Sequence, residues 1–458
     1  MERSDGVQPF DKDMEMAQKI AEAVKAAGGR AYYVGGYVRD RILHIENKDI
    51  DIEIHGISPK DLENLLDSMG ERISMGESFG IYGLRGYTLD IAMPRKEKVR
   101  GKGHRDFEMF VDPFIGTQKA AKRRDFTINA LMMDVLSGEI IDHFGGIDDI
   151  HRKTLRHVCG ETFAEDALRV FRGAQFAARF DFDIAEDTIA LCQMMDVSAL
   201  SKERVEGELA KALLKAKKPS LFFENLRKMR KLSFWFPEAE ALISVPQNPK
   251  YHAEGDVWNH TMMVLDEAST LLHEVSYPLG FMMTALVHDF GKAICTEEVD
   301  GKIRSYGHET KGLSLVRAFL HRITSETKLS RYVLNLTEFH MQPNALAAQN
   351  SSVKATNKMF DRVFEAKDLV CFAIADHRGR ICEDASSHEA FLFERLHIFQ
   401  TLMQKPYVMG RDLVEAGLKP DSRFSEFLAY AHKLRLAGVE KSEALHQTLI
   451  YAEKAKKK

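Results

Sequence analysis

Acidic and apolar residues alternate near the start of the chain, over Asp49-Ile50-Asp51-Ile52-Glu53-Ile54. A period of two predicts a β-strand with one apolar face and one acidic face. On that strand Asp49, Asp51 and Glu53 point the same way, and their like charges repel one another unless a cation neutralises them. Two aspartates at this spacing suit a pair of divalent ions, and Mg²⁺ favours carboxylates together with substrate phosphates. A solvated acidic edge strand is the alternative.

A glycine pair, Gly35 and Gly36, lies just upstream and follows the apolar run Tyr32–Val34. Because glycine has no side chain, it lets backbone N–H groups approach a phosphate closely. Together the glycine pair and the acidic strand indicate a metal-dependent phosphoryl or nucleotidyl transferase.

The hydrophobic period changes along the chain and predicts an α+β protein. Strand-like runs cluster before residue 145 and include Tyr32–Val34, Ile50–His55, Ile81–Leu84, Thr88–Ala92 and Glu139–His143. After about residue 150, segments with a period of 3.6 residues, such as Phe163–Phe180 and Ser201–Ala216, predict helices. We therefore expect a mixed-sheet head followed by an elongated helical remainder with almost no strand.

Proline positions divide the helical remainder. Pro237, Pro246 and Pro249 predict a boundary near residues 235–250, and Pro406 predicts another near residue 405. The expected parts are a head over residues 1–148, a neck over 149–240, a second helical domain over 241–400 and a helical tail over 401–458.

Composition narrows the class of protein. The chain has 458 residues, of which 45% are hydrophobic and 29% charged, and this is typical of a soluble globular protein. No apolar run approaches the roughly 18 residues of a membrane span, and the polar N-terminus is unlike a signal peptide. The five cysteines are scattered and form no CxxC pair, which argues against a zinc ribbon or a disulfide framework. We expect a cytoplasmic protein without a membrane partner, and the oligomeric state stays open.

Basic residues are segregated in the predicted neck. The net charge is −4, yet Lys202 to Lys231 holds ten Lys or Arg against four Glu. This stretch is either a surface for a phosphate backbone or an ordinary solvated helix face.

Other candidate residues follow the acidic strand. Asp90 lies in the alternating run Tyr87–Ala92, where it can add a third carboxylate from a neighbouring strand. Arg123 and Arg124 can hold a triphosphate, and Asn129 can cap a helix or hold a ribose. Further on, Asp166 and Arg169 are three residues apart in a predicted helix and share a face. Such a pair can read the edge of a base, or it can be a simple helical salt bridge.

Five motifs in this order resemble the class II tRNA nucleotidyltransferases over about residues 25–235. This family includes CCA-adding enzymes, A-adding and CC-adding relatives, and bacterial poly(A) polymerases. The motifs are Gly35-Gly36-x-Val38-Arg39-Asp40, Lys48-Asp49-x-Asp51, Arg123-Arg124-Asp125-Phe126-Thr127-Ile128-Asn129-Ala130-Leu131, Asp142-x-Phe144-Gly145-Gly146 and Glu165-Asp166-x-Leu168-Arg169. One departure is Gln175, where many relatives carry arginine.

The resemblance implies a polymerase β-like head and assigns roles to residues. Asp49 and Asp51 would bind Mg²⁺, with Asp90 as a third catalytic carboxylate. Asp166 and Arg169 would act as an amino-acid template that pairs first with C and then with A. The remaining nucleotide-binding residues implied are Gly35, Gly36, Arg39, Arg124, Asp125, Asn129 and Arg172.

A series of histidines and aspartates in the second half predicts a separate metal centre. His288-Asp289 lies in an apolar stretch, where burying the pair is costly unless it binds something. Any single histidine here can equally be a hydrogen-bonded imidazole. Mixed histidine and carboxylate ligands suit Mn²⁺, Ni²⁺ or Fe, or else Mg²⁺. The ordered series is His260, His288, Asp289, His308, His340 and Asp376.

That series resembles the HD phosphohydrolase superfamily over about residues 250–380. The resemblance implies His260, His288, Asp289 and Asp376 as primary metal ligands, with His308 and His340 completing a second ion. Certain bacterial CCA-adding enzymes carry this module with metal-dependent phosphatase and 2′,3′-cyclic phosphodiesterase activity. By a similar resemblance, the last fifty residues would reach toward the tRNA elbow.

The leading hypothesis is therefore a CCA-adding enzyme with a C-terminal HD phosphohydrolase module, acting on tRNA with CTP and ATP. An A-adding enzyme or poly(A) polymerase is the alternative within the class, and the choice depends on a loop expected within residues 95–112. An HD hydrolase with an RNA-binding head, and a non-catalytic RNA-binding scaffold, are weaker alternatives because the Asp49/Asp51 pair is intact.

Overall fold

The computed structural model describes residues 9–74, 81–99, 107–381 and 388–456. Within it the chain separates into two compact units, Met1–Ala199 and Leu200–Lys458. The first part of the predicted neck, residues 149–199, thus belongs to the unit that contains the head. The finer division into four domains stays a prediction.

The first unit contains a mixed seven-stranded sheet with the order β3-β4-β5-β2-β1-β8-β9. A separate hairpin pairs β6 with β7, and a short parallel pair joins β10 to β11. The strands are β1 Arg30–Val34, β2 Asp51–His55, β3 Arg72–Ser74, β4 Ile81–Leu84, β5 Asp90–Ala92, β6 Arg95–Val99, β7 Phe107–Val111, β8 Met132–Asp134, β9 Ile140–Ile141, β10 Thr154–Leu155 and β11 Asp183–Ile184.

The alternating run forms β2, a central strand of the sheet. Strand β2 pairs antiparallel with β1 and parallel with β5, and this places Asp51 opposite Asp90. The expectation of a wholly wet acidic face is wrong, because Glu53 and His55 are buried as well as Ile52 and Ile54. Glu53 can be buried on this face because His55 and Arg124 pair with its charge.

Nine of the helices described lie in the first unit and pack around or beyond the sheet. They are α1 Pro9–Ala26, α2 Gly36–Ile42, α3 Pro59–Met69, α4 Thr117–Lys122, α5 Gly146–His151, α6 Gly160–Phe163, α7 Leu168–Phe180, α8 Glu186–Met194 and, as a short 3₁₀ turn, Thr127–Asn129. The run Phe163–Phe180, predicted as one helix, is divided between α6 and α7. The Asp166 carboxylate accepts a hydrogen bond from the Leu168 backbone N–H, so a new helix begins there.

The second unit is almost entirely helical, as predicted. Its helices are α9 Lys202–Lys215, α10 Ser220–Lys228, α11 Leu232–Trp235, α12 Pro237–Glu240, α13 Val257–Thr270, α14 Pro278–Val287, α15 Lys292–Cys295, α16 His308–Lys311, α17 Leu313–Ile323, α18 Thr327–Phe339, α19 Gln342–Ala348, α20 Val353–Phe360, α21 Ala366–Arg378, α22 Glu389–Gln404, α23 Gly410–Glu415, α24 Phe424–Leu436 and α25 Lys441–Lys456. One hairpin, β12 Glu297–Val299 with β13 Lys302–Arg304, was not predicted.

Buried apolar residues form several cores. In the sheet, Tyr32, Val34 and Met132 pack with Ala121 and Ala130. A second core joins α18 to α22, and the tail has a core of its own that includes Leu413 and Phe427. Among the helices described, none is both long and apolar enough to cross a membrane.

Candidate active site and metal centre

The first candidate site lies where β2 and β5 begin. Asp51 and Asp90 are register partners on these two parallel strands, so their side chains leave the sheet on the same side. Burial, followed by the charges of Asp90 and Asp49, raises the pKa of Asp51 to about 6. Carboxylates that repel one another in this way fit a divalent cation, since its charge removes the cost of ionising them together.

Gly35 forms the other wall of this site and immediately precedes α2. Its backbone angles, φ 66° and ψ −129°, lie in a region that only glycine adopts readily. A β-carbon at this position would stand 3.1 Å from Nη1 of Arg124 and 3.9 Å from Oδ2 of Asp51. The missing side chain therefore leaves the space between the acidic strand and a guanidinium open.

Glu53 pairs with Arg124 and holds its guanidinium in place. Nη2 of Arg124 donates to Oε2 of Glu53 at 3.2 Å, while Nε2 of His55 lies 2.9 Å from the other oxygen. Burial raises the pKa of Glu53, but His55 and Arg124 outweigh it and hold the pKa below its usual value. Glu53 thus stays ionised and fixes the position of Arg124. The carboxylate of Asp51 can then bind a cation.

A buried hydrogen-bonded network connects α2, the 3₁₀ turn and α7. Nη1 of Arg39 donates to Oδ1 of Asn129 at 2.6 Å, and Nε donates to Asp40 at 2.7 Å. The Asn129 amide in turn donates to Oδ1 of Asp125, whose Oδ2 accepts from Nε of Arg172 at 2.8 Å. Burial raises the pKa of Asp125, but Arg172 first and Asn129 next reverse the effect and the pKa is lowered.

Asp166 and Arg169 lie at the beginning of α7. The Asp166 carboxylate caps Leu168, and the Arg169 guanidinium donates to the backbone carbonyls of Thr162 and of Arg123, the latter at 2.9 Å. Both side chains are half-buried. Arg169 therefore joins α6 and α7 to the segment that carries Arg124.

The second candidate site is centred on Asp289, at the end of α14. Oδ2 of Asp289 lies 3.2 Å from Nε2 of His288 and 3.5 Å from Nε2 of His260. Oδ1 lies 3.1 Å from Nε2 of His308 and 3.9 Å from Nε2 of His340. One carboxylate thus faces two different pairs of imidazoles, and each trio has the spacing of a metal site.

Asp376 from α21 closes the first of these trios. Its Oδ1 lies 3.2 Å from Nε2 of His260 and 4.0 Å from Nε2 of His288. Nε2 of His260 and Nε2 of His288 are buried and make no hydrogen bond. Buried imidazole nitrogens aimed at two carboxylates fit a divalent metal ion, which would satisfy all of them at once.

Two basic side chains border this centre. Nζ of Lys292 lies 2.7 Å from Oδ2 of Asp289, and Arg380 forms an ion pair with Oδ2 of Asp376. Lys292 first, then His288 and His308, outweigh burial and hold the pKa of Asp289 well below its usual range. Burial, followed by the charges of His308 and His288, lowers the pKa of His340 to about 3. His340 is therefore neutral and able to bind a metal at physiological pH.

Gly291 brings the two pairs of histidines together. A β-carbon on Gly291 would overlap the carbonyl oxygen of His308 and press on Gly312. Without that β-carbon, the turn after His288-Asp289 packs directly against the start of α16. His308 can then reach Asp289 from a position nineteen residues later in the chain.

Comparison with known proteins relates both sites to one family. Residues 31–156 match the family model described as Poly A polymerase head domain. A multifunctional CCA protein from Nitrosospira multiformis is 38% identical over 315 residues, which are 68% of this chain and 73% of that protein. Another, from Mannheimia succiniciproducens, is 34% identical over 408 residues, or 85% and 93% of the two chains.

This chain belongs to the multifunctional CCA protein family. Solved structures share its fold: a CCA-adding enzyme in an apo form has a TM-score of 0.69 at 18% identity, over 97% of this chain and 96% of the other. The Thermotoga maritima CCA-adding enzyme complexed with tRNA has a TM-score of 0.66 at 18% identity, over 98% and 97%.

In this member of the CCA family, the structure brings most predicted site residues into two clusters. Gly35, Asp51, Asp90 and Arg124 lie together, with Asp49 two residues before β2. Arg39, Asn129 and Asp125 are buried in the network and reach Arg172. The six predicted metal ligands form one cluster, in which the four histidines surround Asp289 and Asp376 contacts two of them. The middle of the predicted specificity loop, residues 100–106, lies outside the described residues.

Sequence reasoning missed three residues of the HD centre. Lys292 and Arg380 each follow a predicted ligand by three or four residues, a helical spacing that could have signalled contact. Glu254 lies six residues before His260, and no spacing rule points to it. Burial raises the pKa of Glu254, but the imidazoles of His252 and His260 lower it well below its usual range.

Proposed function

We propose that this chain adds CCA to tRNA 3′ ends from CTP and ATP without a nucleic-acid template. The family is shown by its relatives, which are named multifunctional CCA proteins. Proteins of the same fold have been solved with ATP, with CTP and with tRNA. The observation that carries the proposal is the pair Asp51 and Asp90, which faces Gly35 and Arg124 across an open space.

The proposed chemistry is in-line nucleotidyl transfer by a two-metal site. Asp49 and Asp51 hold Mg²⁺, with Asp90 as the third carboxylate. When bound, Mg²⁺ activates the RNA 3′-hydroxyl and neutralises the leaving pyrophosphate. Gly35 and Gly36 let the backbone approach the triphosphate, and Arg124 is aimed at it by Glu53.

The proposed base selection depends on α7. Asp166 and Arg169 present an acceptor and a donor to the edge of the incoming base. The hydrogen bond between Arg172 and Asp125 holds α7 against the segment that carries Arg124. The distance from the base-reading residues of α7 to the phosphate-binding Arg124 is therefore fixed. Arg39 and Asn129, which lie buried, act by holding Asp125 in place.

The second proposed activity is metal-dependent phosphate-ester hydrolysis in the HD centre. His260, His288, Asp289 and Asp376 would hold a first ion, and His308 and His340, with Asp289, would hold a second. The ligand set suits Mn²⁺, Ni²⁺ or Fe, or Mg²⁺ with less selectivity. The substrates proposed are phosphomonoesters and 2′,3′-cyclic phosphates. A reducing cytoplasm is the proposed location, which agrees with free Cys159, Cys295 and Cys371.

One assay tests the main proposal. The protein is incubated with tRNA that ends at the discriminator base, Mg²⁺, and CTP or ATP separately and together. Ordered addition of C, C and A is expected. Incorporation from ATP alone onto that end, with CTP never used, would show an A-adding enzyme instead.

A further inference from the structure

Glu254 is a buried carboxylate beside the HD centre for which the metal ligands themselves give no role. Its side chain is only 2% exposed. Oε1 lies 2.7 Å from Nδ1 of His252 and 3.3 Å from Nδ1 of His260. Oε2 accepts a hydrogen bond from the Ile381 backbone N–H at 2.9 Å. Both oxygen atoms of this side chain therefore contact other residues of the protein.

The first consequence concerns the His260 ring. Nδ1 of His260 faces two acceptors, Oε1 of Glu254 and the Gly379 carbonyl oxygen at 3.1 Å, so Nδ1 carries a hydrogen. In a neutral imidazole the lone pair then lies on Nε2, the atom that faces Asp289 and Asp376. The Gly379 carbonyl and Glu254 together thus favour the tautomer in which His260 can bind a metal.

His260 differs in this respect from the other three histidines of the centre. Nδ1 of His288, of His308 and of His340 each lies near a backbone carbonyl three residues earlier, on Ala285, Ser305 and Thr337. Those rings are oriented by the backbone three residues earlier. His260 is oriented by the side chain of Glu254 and by the carbonyl of Gly379, which is 119 residues away.

The second consequence concerns Asp376. Besides the bond from Ile381 to Glu254, the Ala253 N–H donates to the Ile381 carbonyl at 2.9 Å. These two bonds fasten the segment before α13 to the chain just after α21, the helix that carries Asp376. Glu254 therefore contacts both the ring of His260 and the chain just after α21.

We propose that Glu254 is a positioning residue of the HD metal centre, which orients His260 and joins it to the end of the helix that bears Asp376. The inference rests on the proposed metal centre, and it assigns Glu254 to the ion held by His260, His288, Asp289 and Asp376. Carboxylates that accept the second N–H of a metal-bound histidine commonly change metal affinity by about 10- to 100-fold when removed.

The test measures metal binding rather than hydrolysis. The full chain is stripped with a chelator and titrated with Mn²⁺ by calorimetry, and the absorption spectrum of bound Co²⁺ reports the ligand geometry. Glu254→Gln keeps the shape of the side chain but removes its charge, and its amide cannot accept from both His260 and Ile381. The matched control is Glu238→Gln, because Glu238 is a buried carboxylate of the same unit that pairs with Arg322.

We expect Glu254→Gln to weaken the tighter Mn²⁺ site about 10- to 100-fold and to alter the Co²⁺ spectrum. Glu238→Gln should leave both unchanged, even if it melts at a lower temperature. If Glu254→Gln folds and binds Mn²⁺ as tightly as the unsubstituted chain, the inference is overturned. If Glu254→Gln does not fold, Glu254→Asp is titrated instead, and the same result for that variant would overturn the inference. Failure of the unsubstituted chain to bind Mn²⁺ would overturn both the inference and the proposed HD centre.

Discussion

Asp51 and Asp90 stand directly opposite each other on two parallel strands, and their proximity contributes to a pKa of about 6 for Asp51. The carboxylates that we propose as ligands of a divalent cation therefore repel one another in its absence. The site is suited to bind a cation at the expense of the stability of the metal-free protein.

Asp51→Asn tests this relationship in two ways. We expect nucleotide addition to fall by about 100-fold or more, since losing a metal ligand removes several kcal/mol of transition-state stabilisation. The melting temperature of the metal-free protein should rise, because a buried repelled charge disappears. Addition is measured with tRNA and labelled CTP, and melting by calorimetry in EDTA. Phosphatase activity of the same preparation is the control, and a fall in both activities would contradict the separation of the two sites.

Mg²⁺ binding by the head should depend on pH near 6. Below that value Asp51 is protonated in the metal-free protein and must lose its proton before it can bind the ion. A pKa of about 6 predicts that the affinity for Mg²⁺ is about tenfold weaker at pH 5 than at pH 8. The measurement is a Mg²⁺ titration at both values in His288→Ala, which removes an HD ligand. An affinity that is constant between pH 5 and pH 8 would argue against Asp51 as a ligand.

Gly35→Ala should reduce both stability and addition. The φ and ψ of Gly35 are accessible to glycine alone, and a β-carbon would press on Arg124. We expect a loss of about 1–3 kcal/mol in the free energy of unfolding, measured with urea, together with a lower kcat. Gly138→Ala is the matched control, because Gly138 also has a positive φ but nothing within 4 Å of its β-carbon position. It should cost about 1–2 kcal/mol and leave kcat unchanged.

Arg172→Ala should destabilise the first unit. The substitution removes the guanidinium from Oδ2 of buried Asp125, and charge-assisted hydrogen bonds of this kind contribute about 1.5–3 kcal/mol. Arg152→Ala, at an exposed arginine, should stay within about 0.5 kcal/mol of the unsubstituted protein. A loss for Arg172→Ala as small as that for Arg152→Ala would show that Asp125 finds other partners.

Metal content should separate the two halves of the HD centre. Asp289 faces both pairs of imidazoles, so Asp289→Asn should lose both ions, whereas His340→Asn should lose one. Metal analysis after stripping and reloading with Mn²⁺ gives the stoichiometry for each variant. An Asp289→Asn variant that holds as many ions as the unsubstituted chain, or only one fewer, would contradict the sharing of its carboxylate. Treatment with EDTA should abolish hydrolysis until a divalent metal is restored.

Local patterns were sufficient for much of the fold. The alternation of Asp49 to Ile54 predicted β2, because a side-chain period of two is a property of the extended backbone alone. The change to a period of 3.6 predicted the helical second half for the same reason. The break between α6 and α7 was missed because it depends on one side chain, Asp166, which competes with the helix for a backbone N–H.

The order of motifs along the chain determined the family and predicted the six HD ligands, since both depend on residue type and spacing. Only the tertiary structure decided which of those residues contact one another and which are buried. It placed Asp90 opposite Asp51, buried Arg39 and Asn129 behind Asp125, paired Glu53 with Arg124, and placed Glu254 against His260. Most of these contacts join residues far apart in sequence, and their distances are set by packing, which no local pattern encodes.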